Sequence, residues 1–251
     1  MRSRYLVLVL LVVVLCAGAC KPKINVVSIG DSWADGWCDD MAAVIRAHGV
    51  ETEVWNKGIA GSTASLWAEP GALLDVQALL VGNRDITWAV VSLGGNDLLD
   101  GYLIGGLGDE VFAQIEADIR TVIDGLLAVA PYLQISLNGY DFPNFEHTVE
   151  CVVMGQAMLG GNTYTQNKLF AELTKIAQRI DEDYPEVYAT DLLGALQEAG
   201  GMPQAPNYLR PSPAKYFPDE DCIHPSNGGY RVVMQRIYDN FFGPLNGAAI
   251  P

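Results

Sequence analysis

Ile24-Asn25-Val26-Val27-Ser28-Ile29-Gly30-Asp31-Ser32 reads as a buried strand delivered into a turn. Its nearly continuous apolar, β-branched character suits a strand covered on both faces of a parallel sheet, and Gly30 ends it. Four more short runs share this character: Glu53 to Trp55, Ile86 to Leu93, Leu133 to Leu137 and Val187 to Thr190. Between them the apolar spacing becomes helical. Val111, Ile115, Ile119, Val122, Ile123 and Leu126 share one face, as do Leu169, Leu173, Ile176, Ala177 and Ile180. Tyr230, Val233, Met234, Ile237, Tyr238 and Phe241 mark a last helix. Strand and helix alternation predicts an α/β fold: a doubly wound, mainly parallel five-stranded sheet with helices on both faces.

Open sheets of this kind bind ligands beyond the carboxyl ends of their strands. Polar segments fall there. Gly30-Asp31-Ser32 follows the first strand, Asn56-Lys57-Gly58-Ile59-Ala60-Gly61-Ser62 the second, and Gly94-Gly95-Asn96-Asp97 the third. Asp221-Cys222-Ile223-His224 stands before Pro225, at the entry to the last helix. A residue preceding proline is biased away from the α region, which suits a loop imidazole aimed into a cleft. A serine near a His that has a carboxylate three residues before it supplies the parts of nucleophilic acyl transfer. Each half alone is an ordinary chance match. Their conjunction carries the reading.

In this order the segments resemble the blocks of the SGNH hydrolases, also called the GDSL esterase and lipase family, over about Ile24 to Phe242. The resemblance implies a flavodoxin-like SGNH fold, with Ser32 as nucleophile, His224 as general base and then acid, and Asp221 orienting the imidazole. It implies an oxyanion hole made by the backbone N–H groups of Ser32 and Gly61 and the side-chain amide of Asn96. No cofactor and no metal are implied. Gly36 completes the family's Gly-Asp-Ser-x-x-x-Gly pattern, whereas Trp33 replaces the Leu of the family name and Cys222 fills a position where many relatives carry Gly. Both departures adjoin reactive residues and bear on substrate shape, so Trp33 is a candidate pocket residue, with Trp67 a second. Tyr102, Phe142, Phe145, Met154, Met158, Tyr208 and Tyr216, in the long irregular stretches, could line an acyl pocket or pack on the domain.

The expected function is a serine esterase acting through an acyl-enzyme on a lipid, a short-chain ester or an acetylated sugar; thioesters pass through the same oxyanion. The alternative is a noncatalytic envelope protein that binds a glycan or lipid on this fold. The presence of all five reactive positions speaks against that alternative. An α/β-hydrolase would share the order Ser, Asp, His, but the chain has no Gly-x-Ser-x-Gly elbow. Asp31, Asp35 and Asp39 recur at four-residue spacing without a His or a calcium-loop pattern. His48 and His147 read as surface residues, and Asp97 as a partner of its own turn.

At 251 residues the chain suits one α/β domain, expected over 20–251. Arg2 and Arg4, the apolar run Leu6 to Leu15 and Ala17-Gly18-Ala19-Cys20 read as an export signal over 1–19, too short for a membrane span of ~20 residues. Cys20 after small residues resembles a bacterial lipobox, which makes it the expected lipidated first residue of an envelope lipoprotein; plain secretion is the alternative. Without Arg2 and Arg4, 13 basic residues face 30 acidic ones, a formal charge of −17. Such a surface repels phosphate backbones, so nucleic acid is excluded as a partner. Once Cys16 leaves with the signal and Cys20 is set aside for lipid, Cys38, Cys151 and Cys222 remain. Outside the cytoplasm Cys151 and Cys222 are the favoured pair, because the loop after the fourth strand and the loop carrying His224 flank one site; three unpaired thiols are the alternative.

Overall fold

The computed structural model describes residues 23–104, 107–219 and 221–246. The expected export signal and Cys20 lie outside the described residues. Five strands, β1 (Lys23–Gly30), β2 (Glu51–Gly58), β3 (Trp88–Ser92), β4 (Gln134–Asn138) and β5 (Val187–Thr190), form one sheet in the order β2-β1-β3-β4-β5. Every pairing is parallel, with Gly30 level with Gly58 on one side and with Ser92 on the other. All five residues of β3 are buried. Because successive side chains point to opposite faces, this requires cover on both sides of the sheet.

The helices supply that cover. In chain order they are α1 (Ser32–Gly36), α2 (Cys38–Ala47), α3 (Ala64–Ala68), α4 (Leu74–Gly82), α5 (Gly95–Ile104), α6 (Asp109–Leu127), α7 (Val149–Leu159), α8 (Thr163–Asp183), α9 (Ala195–Ala199), α10 (Asn227–Ile237) and α11 (Gly243–Asn246). Helix α2 lies on β2 and against α10, while α8 lies on β4 and β5 and against α6. The buried faces of α6 and α8 are those the spacing predicted, including Ile115, Ile119, Val122, Leu173, Ile176 and Ile180. Two expectations need correction. Ile86 and Leu93 are buried but lie outside β3, since apolarity reports burial and not membership of a ladder. Helix α7 lies in a stretch expected to be irregular; Val149, Val152 and Val153 remain exposed, so its apolar residues carry no one-faced pattern.

The chain turns away from β1 to β2 and then crosses back to β3, so the crevice between the carboxyl ends of β1 and β3 is the switch point of the sheet. Gly30 makes the approach there possible. It has φ +143°, and a Cβ would sit 2.0 Å from the backbone oxygen of Ser92. Gly30→Ala is therefore expected to cost at least about 3 kcal/mol, the upper end for an overpacked interior site, because backbone and not a flexible side chain stands in the way. Urea denaturation of the purified variant measures it.

Candidate active site

Ser32 is the first residue of α1, set immediately beyond β1 by the turn at Gly30 and Asp31. Asp31 caps that helix, its Oδ1 accepting from the Trp33 N–H at 2.9 Å. From the far end of the chain, His224 brings Nε2 to 2.7 Å from Ser32 Oγ. On the other side of the ring, Nδ1 lies 2.9 Å from Asp221 Oδ2. The second carboxylate oxygen, Oδ1, accepts from the backbone N–H groups of Ile223 and His224, each at 2.8 Å. Burial disfavours the charge on Asp221, but these two N–H groups and the imidazole outweigh it and hold the carboxyl below its usual range. An ionised carboxylate only accepts, so Nδ1 carries the imidazole proton and Nε2 is left to accept from the serine hydroxyl.

The loop that holds this pair is fixed along its length. The Asp221 N–H donates to the Pro218 oxygen at 3.1 Å, the Asn144 N–H to the Cys222 oxygen at 2.8 Å, and the Ser226 N–H to the Tyr216 oxygen at 2.7 Å. Cys222 is also disulfide-bonded to Cys151 on α7, with Cα atoms 5.6 Å apart. Cys38 remains a free thiol whose pKa burial pushes up to about 11. A neutral thiol is a poor nucleophile, so Cys38 does not compete with Ser32 for acyl groups.

Donors converge on the same place. Gly61 has φ +79° and open space where a Cβ would be, so backbone conformation and not crowding selects glycine here. Among the described residues neither the Ser32 nor the Gly61 N–H has an intramolecular partner. Asn96, in the first turn of α5, donates one Nδ2 hydrogen to the Ser62 oxygen at 2.8 Å and keeps the other. Its neighbour Asp97 accepts from the Ala64 and Ser65 N–H groups at 2.8 and 3.3 Å, which ties the start of α3 to the start of α5. The loops that carry Gly61 and Asn96 are thus braced against each other.

A cavity of about 270 Å³ opens on these groups, lined by Ser32, Gly61, Asn96 and His224 on its reactive side. Its remaining wall is made by Trp33, Leu99, Tyr140, Met158, Phe170 and Ile223, with Asp31, Ala60 and Gly95 between. Trp33 and Met158 therefore reach the site. Trp67 does not line this cavity, contrary to expectation: its indole is buried and donates to Ser62 Oγ at 2.9 Å, bracing the Gly61 loop from behind. Phe142 and Phe145 are buried in the core, and Met154 faces solvent. His48 is exposed and bonds Gln235, and His147 is half-buried and bonds the Pro218 oxygen.

Several residues at the cavity, among them Leu99, Phe170, Asp31 and Tyr140, were not singled out by their sequence context as part of it. Tyr140, two residues beyond β4, donates its hydroxyl proton to Asp31 Oδ2 and accepts from the Gly95 N–H at 3.1 Å. Burial pushes the Asp31 carboxyl up to about 6, against the hydrogen bonds from Tyr140 and Trp33. Burial and the Asp31 charge raise Tyr140 well above the usual phenol value, so it keeps its proton and serves as the donor. This link holds the Ser32 turn, the start of α5 and the end of β4 together. Its position beyond the carboxyl end of a strand was the available signal.

Solved structures with this arrangement of strands are similar along most of the chain. A variant of an acetylxylan esterase from Geobacillus stearothermophilus matches at 16% identity and a TM-score of 0.57, covering 88% of this chain and 95% of that one. A psychrotrophic esterase from Pseudoalteromonas sp. matches at 18% identity and a TM-score of 0.51, covering 88% and 98%. No curated protein sequence matches significantly. The profile of the GDSL-like lipase/acylhydrolase family matches residues 28–232. The chain accordingly belongs to the GDSL-like lipase/acylhydrolase family and is an ester hydrolase of the SGNH type.

Proposed function

We propose that the protein is a serine esterase that cleaves carboxylic esters through an acyl-enzyme on Ser32. The observation that carries this reading is the unbroken chain from Ser32 Oγ to His224 Nε2 at 2.7 Å and from His224 Nδ1 to Asp221 at 2.9 Å. Ser32 Oγ attacks the acyl carbon while its proton passes to His224 Nε2. The charge on the former carbonyl oxygen falls to the N–H groups of Ser32 and Gly61 and to the free amide hydrogen of Asn96. Collapse breaks the bond to the alcohol oxygen, which takes the proton from His224. Water then gives a proton to the same nitrogen, attacks the acyl-enzyme and releases the carboxylic acid, restoring Ser32.

The pH dependence follows from this cycle. Asp221 is held below the usual carboxylate range and stays ionised throughout the working range. In acid a protonated imidazole cannot accept from Ser32, and the Asp31 carboxyl beside Ser32, pushed up to about 6, gains its proton in the same region. The kcat/KM profile on a p-nitrophenyl ester is expected to fall in acid and to reach a plateau above that limb. A profile that stays flat from about pH 5 to about pH 9 on folded protein contradicts a histidine base.

The same proposal extends to location. Export followed by lipidation of Cys20 accounts for the basic, apolar and small-residue order of the first twenty residues. The apolar run Leu6 to Leu15 is shorter than the ~20 residues that a span needs, so anchoring would rest on that one sulfur. Cys20→Ser is expected to release the protein from membranes or to block its processing. Mass spectrometry of the native N-terminus checks this, an unmodified Cys20 being the contrary result.

A further inference from the structure

We propose that the cavity beside Ser32 takes an apolar acyl chain of medium length, and that Leu99, Met158 and Phe170 set the length it accepts. The inference rests on the serine esterase reading above and names the substrate class for that site. Those three side chains, from α5, α7 and α8, line the cavity together with Trp33, Tyr140 and Ile223. Among these neighbours the Tyr140 hydroxyl is engaged, whereas the Trp33 indole N–H is buried without a partner and out of reach of a ligand in the cavity. Tyr140 donates to Asp31, and Asp31 also accepts from the Trp33 N–H. A sugar pushed into this space would bury hydroxyls without partners, at a cost that an alkyl chain does not incur.

Volume sets the chain length. A methylene fills about as much space as a liquid water molecule, roughly 30 Å³, so a cavity of about 270 Å³ holds a chain of roughly six to eight carbons once imperfect packing is allowed for. An acetyl group would leave most of it empty. The wall is also held in place. Helix α7, which carries Met158, is joined through Cys151 to Cys222, next to Asp221 and two residues before His224. The Met158 part of the wall is thus covalently tied to the reactive loop, which lessens the ordering that a bound chain must impose.

The test is a series of p-nitrophenyl esters from acetate to dodecanoate on the full chain, with acetylated xylan beside it. For the wild-type protein, kcat/KM is expected to rise about fourfold per added methylene, the value of burying one, and to level off at roughly six to eight carbons. Met158→Phe and Leu99→Phe fill the slot, and each is expected to lower the octanoate-to-acetate ratio of kcat/KM by about tenfold or more. Because a wall variant can misfold, the wild-type series alone also decides the matter. A series that is flat or highest at acetate, or acetylated xylan outpacing every longer ester, overturns the acyl slot. Ser32→Ala run on the same esters separates the two readings: if it is inactive while the series is flat, only the slot fails, and if it keeps its activity, the serine mechanism fails first.

Discussion

Ser32→Ala and His224→Ala are each expected to lose about 10⁴-fold or more of kcat on a p-nitrophenyl ester while keeping the wild-type fold. Nucleophile and base act as one unit, so either loss alone removes nearly all that the pair contributes. The double variant is expected to be little worse than each single one. Asp221→Asn is expected to be severe but less complete. An amide can still accept from the Ile223 and His224 N–H groups, yet it presents a donor or a neutral acceptor to Nδ1 and no longer stabilises the imidazolium. Circular dichroism and turnover measured on the same preparations check both halves of the expectation.

Asn96→Ala is expected to lower kcat by roughly 10²- to 10³-fold with a smaller change in KM. The free Nδ2 hydrogen matters most when the acyl oxygen carries its full charge, and the ester ground state makes little use of it. The other Nδ2 hydrogen bonds the Ser62 oxygen, so part of the loss comes from loosening the Gly61 loop. Asn96→Asp keeps the size but removes both donors and sets a carboxylate where the oxyanion forms, so its loss is expected to be at least as large as that of alanine. A change confined to KM would make Asn96 a substrate-binding residue instead.

Much of the architecture was legible because burial in a parallel sheet leaves a plain mark. Ile24 to Ile29 and Val187 to Thr190 are strands where the apolar runs stand, and Asn96 follows β3 as the polar segment predicted. Ser32 and His224 are 192 residues apart in sequence, yet each could be assigned to the same edge from the element it adjoins. Edge pairing was harder to see. Strand β2 runs from Glu51 to Gly58, well beyond Glu53 to Trp55, because an edge strand carries polar residues such as Asn56 and Lys57. Helix α7 was missed for the reason that makes it unusual, an apolar outer face.

What the sequence concealed at the site depends on long-range contact. Asp31 reads as part of a turn, and nothing near it announces Tyr140, 109 residues away, whose hydroxyl it accepts. Leu99 falls in a stretch expected to be irregular but lies on α5, and Phe170 stands beside the predicted face of α8 without being part of it. Trp67 illustrates the converse. A large aromatic shortly after Gly61 suggested a pocket wall, but its indole N–H found Ser62 Oγ and its ring the interior.

Intact-protein mass spectrometry after exposure to a fluorophosphonate tests the central claim most directly. Such a reagent bonds irreversibly to an activated serine, so it reports the nucleophile itself and not the consequences of a substitution. One adduct per chain is expected, located on the peptide containing Ser32 and accompanied by complete loss of esterase activity. Labelling is expected to vanish in Ser32→Ala and to slow severely in His224→Ala. Full labelling at another residue, or unchanged turnover after Ser32 is fully modified, would contradict the account.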